Sequence, residues 1–89
     1  MEAGDLDLAF ATILPVCAEA EAAGMKETEA TLRGMLAQIH LLANRRKDAE
    51  REGKAALAIA ESLGATEAAD GFRQIVQLAI GFTVPVQKA

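Results

Sequence analysis

Apolar residues recur along the chain at spacings of three and four, and turn-forming residues divide them into four segments. This spacing is that of an α-helix that buries one face. We predict helices over about 6–23, 26–43, 48–63 and 66–80. The residues expected to end these helices are Gly24, Asn44, Gly64 and Gly81, because each can adopt a left-handed exit conformation.

Proline and short polar residues suggest how individual helices begin or bend. Pro15 removes a backbone donor inside the first segment. Either the helix kinks there, or one helix ends near Leu14 and another begins with Pro15; we favour the kink. Asp48 and Thr66 are candidate N-caps, and residues 44–47 are expected to form a tight polar turn.

The second segment carries a clear apolar stripe, which supports the helix, and such stripes are expected to be shared between neighbouring helices. Its members recur at helical spacing and are Leu32, Met35, Leu36, Ile39, Leu42 and Ala43.

A shift of 40 residues partly matches the chain to itself. Residues 20–24 then align with residues 60–64, Arg33 aligns with Arg73, and Leu36 aligns with Val76. A period of this length, built from two helices, is typical of helical solenoids. A unit of two helices cannot bury its apolar face alone, so neighbouring units stack and share a core.

Residues 33–64 contain a leucine, a histidine and three alanines at fixed intervals: Leu36, Ala37, His40, Ala49 and Ala56. In this arrangement the segment resembles the tetratricopeptide family, with these residues at the leucine, first small, tyrosine, second small and third small positions in that order. Arg33 replaces the tryptophan, and Gly53 replaces an aromatic packing residue. These departures suggest either loose packing or an unusual subtype.

The resemblance implies an all-α fold of about two stacked antiparallel helical hairpins, with four main helices. Residues 1–82 would form a single tetratricopeptide-like domain, and residues 83–89 an extended tail, because Pro85 disfavours helix before it. The first helix of each hairpin would line a concave groove that binds a partner. Its predicted partner-binding residues are Gly34, Gln38, Leu41, Gln74, Leu78 and Gly81. Alternatively, Leu41 and Leu78 complete the core or a dimer seam.

Composition agrees with helices and narrows the cellular setting. The chain has many alanines, no Trp or Tyr and only three Phe, whereas strands favour aromatic and β-branched residues. The net charge of −4 argues against nucleic acid, which calls for a basic face. The single cysteine fits a reducing compartment. The acidic N-terminus is unlike a signal peptide, and no apolar run is long enough for a bilayer. We expect a cytoplasmic protein without membrane contact.

Few residues suggest chemistry. His40 is the only histidine and is interpreted as a packing residue, with a catalytic base or metal ligand as the alternative. Cys17 is interpreted as a buried, inert thiol. Residues 45–47 with Arg51 form a basic cluster, read as a solvated turn or as a contact for an acidic client or phosphate. Ser62 ends a predicted helix, whereas the attachment serine of acyl carrier proteins begins one, so we reject that class.

The sequence therefore predicts a protein that is not an enzyme and that uses no cofactor, metal or small-molecule substrate. We expect a protein–protein interaction module, such as an adaptor or small chaperone that holds a peptide or helix of a client. Two alternatives stay open: a fragment of a longer helical-repeat protein, such as the sensory array of a regulator, or a self-associating helical scaffold that forms a homodimer.

Overall fold

The computed structural model describes residues 3–81, which form four α-helices. Helix α1 spans Ala3–Ala22, α2 spans Lys26–Leu42, α3 spans Arg46–Ser62 and α4 spans Thr66–Ala79. Within residues 3–81 there is no β-strand. The all-α prediction is confirmed, while the predicted tail over residues 83–89 lies outside the described residues.

The three connecting turns follow one pattern at intervals of 20 residues. Gly24, Asn44 and Gly64 have φ of 72°, 63° and 72°. One residue after each of them, a backbone N–H donates to the carbonyl five residues earlier, as in Met25 to Ala20 at 2.9 Å and Ala65 to Ala60 at 2.9 Å. This is a Schellman-type helix end, and it turns each helix back antiparallel to the one before.

Two details of the helix ends differ from the prediction. Asp48 lies in the first turn of α3 and Thr66 is the first residue of α4, so neither is an N-cap. The N-cap residues are Arg45 and Ala65, and neither makes a side-chain capping bond. The turn fixes these positions, because each helix begins two residues after the left-handed residue. Helix α1 continues through Pro15, so the two-helix alternative is wrong.

The helices pack as two antiparallel hairpins in series. Helix α1 packs on α2, α2 on α3, and α3 on α4, and α2 also contacts α4. Among residues 3–81, Leu36 is the only large side chain that is fully buried, and most other buried apolar residues are alanines. Such small side chains allow helix axes to approach closely.

Two glycines mark the closest helix contacts. A Cβ atom added to Gly34 of α2 would lie 2.4 Å from Cε1 of Phe72 in α4. A Cβ atom added to Gly53 of α3 would lie 2.9 Å from Cγ2 of Val76 in α4. Gly53 therefore lets α4 pack closely against α3, and the contact between these two helices is tight rather than loose.

Candidate functional site

One flank of α2 exposes a line of side chains on the side away from α3. Arg33 marks the α3 side, because its guanidinium binds Glu52 of α3. A helix turns by about 100° per residue, which places the opposite flank at positions spaced by three and four. The exposed residues of this flank are Thr28, Thr31, Met35, Gln38 and Leu42. Met35 is 42% exposed and Leu42 is 66% exposed.

Helix α4 has a matching flank. Its contact with α3 is marked by Val76, which packs against Gly53. The residues opposite Val76 on the helical wheel are Glu67, Gly71, Gln74 and Leu78, and all four are exposed. Because α2 and α4 touch each other and α3 packs behind both, the two flanks lie side by side. We call these nine residues of α2 and α4 the α2/α4 face.

The α2/α4 face is apolar and amide-rich in its middle and charged at its ends. Glu27 and Glu67 lie exposed in the first turns of α2 and α4. Arg46, the first residue of α3, lies exposed at the other end of the face. Nη1 of Arg46 donates to the carbonyl of Leu78 at 3.3 Å, which ties this basic end to the C-terminal turn of α4. The face therefore has an acidic end and a basic end.

A cleft opens beside the face, between the N-terminal halves of α2 and α4. Its volume is about 230 Å³, and its lining includes Thr31, Leu63, Ala68 and Phe72. Leu63 is 45% exposed. The cleft offers an apolar recess in which a side chain of a partner could be covered.

The six predicted partner-binding residues fall in different environments. Gln38, Gln74 and Leu78 lie on the α2/α4 face, and Leu78 is 58% exposed. Leu41 is half-buried, and Gly81 is exposed just after α4 with φ of 82°. Gly34 is buried, and the close approach that it allows is made by Phe72 of the same chain. Partner binding by the six stays a prediction.

Met35 and Leu42 belong to the apolar stripe predicted for the second segment, but both are exposed in the structure. Helix α2 carries two interleaved lines with three- and four-residue spacing, one through Leu32, Leu36 and Ile39 and the other through Met35 and Leu42. Only the first is covered, since Leu36 and Ile39 are buried and Leu32 is half-buried. The sequence does hold a signal that the second line is exposed. This line also contains the polar residues Thr28, Thr31 and Gln38.

A buried charge cluster holds α2 against its neighbours. Nε of Arg33 donates to Glu29 at 2.8 Å, Nη1 donates to Glu52 at 2.9 Å, and Nη2 donates to Glu21 at 3.2 Å. Glu29 and Glu52 are buried, and Arg33 therefore links α1, α2 and α3 at one point. Burial is the largest influence on the pKa of Arg33 and lowers it, but the hydrogen bonds that Arg33 donates to Glu29 and Glu52 outweigh it together with nearby negative charge and raise that pKa above its ordinary value. The sequence reading missed this cluster, because Glu29 and Glu52 look like surface residues.

His40 is buried against α1. Its ring centroid lies 5.1 Å from that of Phe10, and its Nδ1 accepts a hydrogen bond from Nε of Arg45 at 3.0 Å. The guanidinium of Arg45 in turn lies 5.7 Å from the centre of the Phe10 ring. Burial lowers the pKa of His40 below its ordinary value. The prediction that His40 is a packing residue at a helix interface agrees with these contacts.

Cys17 is also buried, with 3% of its surface exposed. Burial raises the pKa of its thiol, and the nearby Arg33 only partly opposes that effect. Among residues 3–81 no group of three or more His, Cys, Asp or Glu side chains is arranged to hold a metal ion. No helix in this part of the chain has the length and apolarity needed to cross a bilayer.

The basic cluster of the sequence is divided among different contacts. Arg45 binds His40, Arg46 binds the end of α4, and Arg51 binds Asp48 at 2.8 Å. These three arginines therefore make intramolecular contacts and do not only form a solvated turn.

No protein-family model, no curated protein and no solved structure matches the chain.

Proposed function

We propose that the chain is a non-catalytic protein–protein interaction module that uses the α2/α4 face to hold a helix or peptide. The observation that carries this proposal is that small apolar side chains are buried while large ones are exposed. Alanines fill most of the core, while the large side chains Met35, Leu42 and Leu78 of the α2/α4 face are exposed. A contiguous patch of exposed apolar side chains is typical of an interaction site.

The energy available at this face supports a role in binding. Fully burying one Leu or Met side chain stabilises by about 1.5–3 kcal/mol. Met35, Leu42 and Leu78 are 42–66% exposed, so covering all three would contribute on the order of 2–5 kcal/mol before the cost of association. The amides of Gln38 and Gln74 add hydrogen-bonding groups that can fix the orientation of a bound segment.

The non-catalytic part of the proposal has its own support. His40 and Cys17, the two side chains considered for chemistry, are both buried. A general base must reach the proton that it removes, and a reactive thiol needs exposure and a depressed pKa. His40 is engaged with Arg45 and Phe10, while the pKa of Cys17 is raised. A cytoplasmic location is part of the same proposal and rests on the single thiol.

A second candidate is a segment of a longer helical-repeat protein, of the kind that the tetratricopeptide resemblance suggests. Two observations favour it: the turns recur every 20 residues, and α1 packs only on α2 among the four helices. Leu8 and Val16 of α1 are 68% and 47% exposed, as expected for a helix that would adjoin a further unit. An adaptor or small chaperone remains the function that we favour.

The test compares matched variants as baits. In one variant, Leu42→Asp and Leu78→Asp place charges on the α2/α4 face, and in the control Leu8→Asp charges an equally exposed leucine of α1. We expect binding, whether of other proteins from the native host or of copies of the chain itself, to be lost in the face variant and kept in the control. If no interaction depends on the face, the proposal is wrong.

A further inference from the structure

We propose that the cleft beside the α2/α4 face takes an arginine side chain of the segment that the face holds. The bound helix or peptide is then basic at the end that reaches the cleft. This inference rests on the proposed function, because it states the chemistry of the partner of the same face. It adds a subsite in which apolar walls cover the stem of the arginine and carboxylates at the rim meet its guanidinium.

The cleft combines apolar walls with a carboxylate in its lining. Its volume is about 230 Å³, and it is lined by four alanines, Leu63, Phe72, Thr31 and Glu27. A long charged side chain can lay its methylene stem along such a surface while its charged end stays near water. The cleft therefore suits an amphipathic side chain.

Carboxylates flank the cleft on the α2 side and on the α4 side. Glu27 of α2 lines both the cleft and an adjoining recess beside the α1–α2 turn, so it lies at the edge that the two share. Glu67 of α4 lines another recess, which shares Ala65 and Ala68 with the cleft. Both glutamates are exposed, and neither forms an ion pair with another residue of the described range 3–81.

The cationic groups around the cleft are already paired. Nη1 of Arg73 donates to Asp70 at 2.7 Å, and its Nη2 donates to Glu61 at 3.2 Å. Nζ of Lys26 lies 3.7 Å from a carboxylate oxygen of Glu29. The residues that line the cleft and its three adjoining recesses carry four carboxylates and two cationic groups, so negative charge is in excess here.

Helix dipoles do not reverse this balance. The N-termini of α2 and α4 lie at this end of the molecule together with the C-termini of α1 and α3, because consecutive helices are antiparallel. The partial positive charge of a helix N-terminus is about equal to the partial negative charge of a C-terminus, so the four contributions largely offset one another. The side-chain carboxylates therefore set the sign of the potential that a partner meets.

This arrangement favours a cationic ligand, and arginine in particular. An apolar group that covered the cleft would take Glu27 partly out of water without compensation, which costs free energy. An anionic group would meet like charge, which is also unfavourable. Arginine fits better than lysine, because its planar guanidinium can bind a carboxylate with two hydrogen bonds and can stack on an aromatic ring, here that of Phe72.

The first experiment tests the subsite alone, with N-acetyl-arginine amide as the probe and amide NMR spectra of the full chain as the readout. We expect saturable shifts for residues 27–31, 63–68 and 72. N-acetyl-citrulline amide, which has nearly the same shape without the charge, should bind about fivefold more weakly, as expected for the loss of one solvent-exposed ion pair. The lysine analogue should bind more weakly than arginine.

Matched variants locate the charge that binds the probe. Glu27→Gln should weaken binding of the arginine probe about fivefold, and adding Glu67→Gln should remove the preference for arginine over citrulline. Glu19→Gln is the control, because Glu19 is exposed on α1 and lines none of these four cavities. It should leave binding unchanged. Spectra of the variants without the probe show whether the fold is kept.

The second experiment asks whether the α2/α4 face selects basic segments. Peptides from a random displayed library are selected on the wild-type chain, and those that still bind a variant with Leu42→Ser and Leu78→Ser are discarded. These two substitutions remove apolar surface from the face without adding charge. We expect the remaining peptides to be enriched in arginine and depleted in aspartate and glutamate relative to the starting library.

The outcomes separate this inference from the proposed function. The inference is wrong if the arginine probe gives no saturable shifts at the cleft, or if citrulline or lysine binds as well as arginine. Face-dependent peptides without arginine enrichment also overturn the inference, but they leave the interaction module standing. If no peptide depends on the face, the proposed function fails, and the inference fails with it even where the probe binds.

Discussion

Arg33 and Arg73 lie 40 residues apart in the chain and make the same contact. Nη2 of each donates at 3.2 Å to a carboxylate 12 residues earlier, Glu21 for Arg33 and Glu61 for Arg73. Each pair joins the end of one helix to the middle of the next. The two hairpins therefore repeat not only their turns but also a specific ion pair between their helices.

Their surroundings differ, and this difference sets the first prediction. Arg33 is 20% exposed and also binds the buried Glu29 and Glu52, whereas Arg73 is 46% exposed. Arg33→Ala should lower the free energy of unfolding by about 3–5 kcal/mol, because it strands two buried carboxylates. Arg73→Ala should cost less than about 1 kcal/mol, as exposed ion pairs do. Urea denaturation of both variants measures the difference.

A control isolates the stranded charges as the cause. Replacing Arg33 by Met together with Glu29→Gln and Glu52→Gln removes all three charges, and it should recover much of the loss seen in Arg33→Ala. Equal losses for Arg33→Ala and Arg73→Ala would contradict the assignment of Arg33 to a buried cluster.

The second prediction concerns two helical glycines of opposite surroundings. Gly34→Ala should destabilise the fold by about 1–2 kcal/mol, because the new methyl group overlaps the Phe72 ring and the strain exceeds the gain in helix propensity. Gly71→Ala should stabilise it by about 0.5–1 kcal/mol, since nothing lies within 4 Å of the added Cβ atom. Thermal unfolding followed by circular dichroism gives both values.

A shorter side chain at position 72 tests whether overlap with the Phe72 ring is the cause of this loss. In a Phe72→Leu background, Gly34→Ala should cost clearly less than it does in the wild type. Additive costs for the two substitutions would mean that the glycine and the ring do not meet as described.

Local signals were enough to predict the helices and their exits. Gly24, Asn44 and Gly64 adopt left-handed backbone conformations because the residue type itself favours them. The helix starts were less predictable, since Asp48 and Thr66 have good capping side chains that the turn geometry leaves unused. There, the path fixed by the preceding Schellman turn decides where the next helix begins.

The candidate site was predicted only in part, because exposure depends on packing between distant elements. Met35 and Leu36 are neighbours of similar apolarity, yet one is exposed and the other fully buried. The difference arises from where α1 and α3 lie around α2, which spacing within α2 does not specify. Likewise, Glu29 is buried beside Arg33, which also binds Glu52 of α3, and the sequence of α2 does not specify this contact with another helix.

The third prediction compares turn residues. Asn44 has φ of 63°, a conformation that costs roughly 1 kcal/mol for residues with an ordinary side chain. Asn44→Gly should therefore leave stability unchanged or raise it slightly, whereas Asn44→Ala should lower it by about 1 kcal/mol. Chemical denaturation of the pair measures the sign directly. Equal stability of the glycine and alanine variants would be incompatible with a left-handed residue at this turn.

The last prediction is a pH dependence from His40. Burial lowers the pKa of folded His40 below the ordinary value of 6.5, with Asp48 opposing and Arg45 reinforcing the shift. At a pH between the pKa of folded His40 and its ordinary value in the unfolded chain, the unfolded chain binds a proton that the folded chain does not. The contribution of neutral His40 to the free energy of unfolding is therefore fully present above pH 6.5 and falls as the pH drops below it. Protonation of Nδ1 would also remove the acceptor of the Arg45 hydrogen bond.

His40→Gln removes the titrating group and keeps a polar side chain at the position. Urea midpoints measured from pH 7.5 down to pH 5 should fall more steeply for the wild type than for this variant, by up to about 1.4 kcal/mol per pH unit at the steepest point. Acid titration of carboxylates affects both proteins alike and cancels in the difference. Parallel curves for the two proteins over this range would show that His40 titrates alike in the folded and unfolded chains, against the burial seen between α1 and α2.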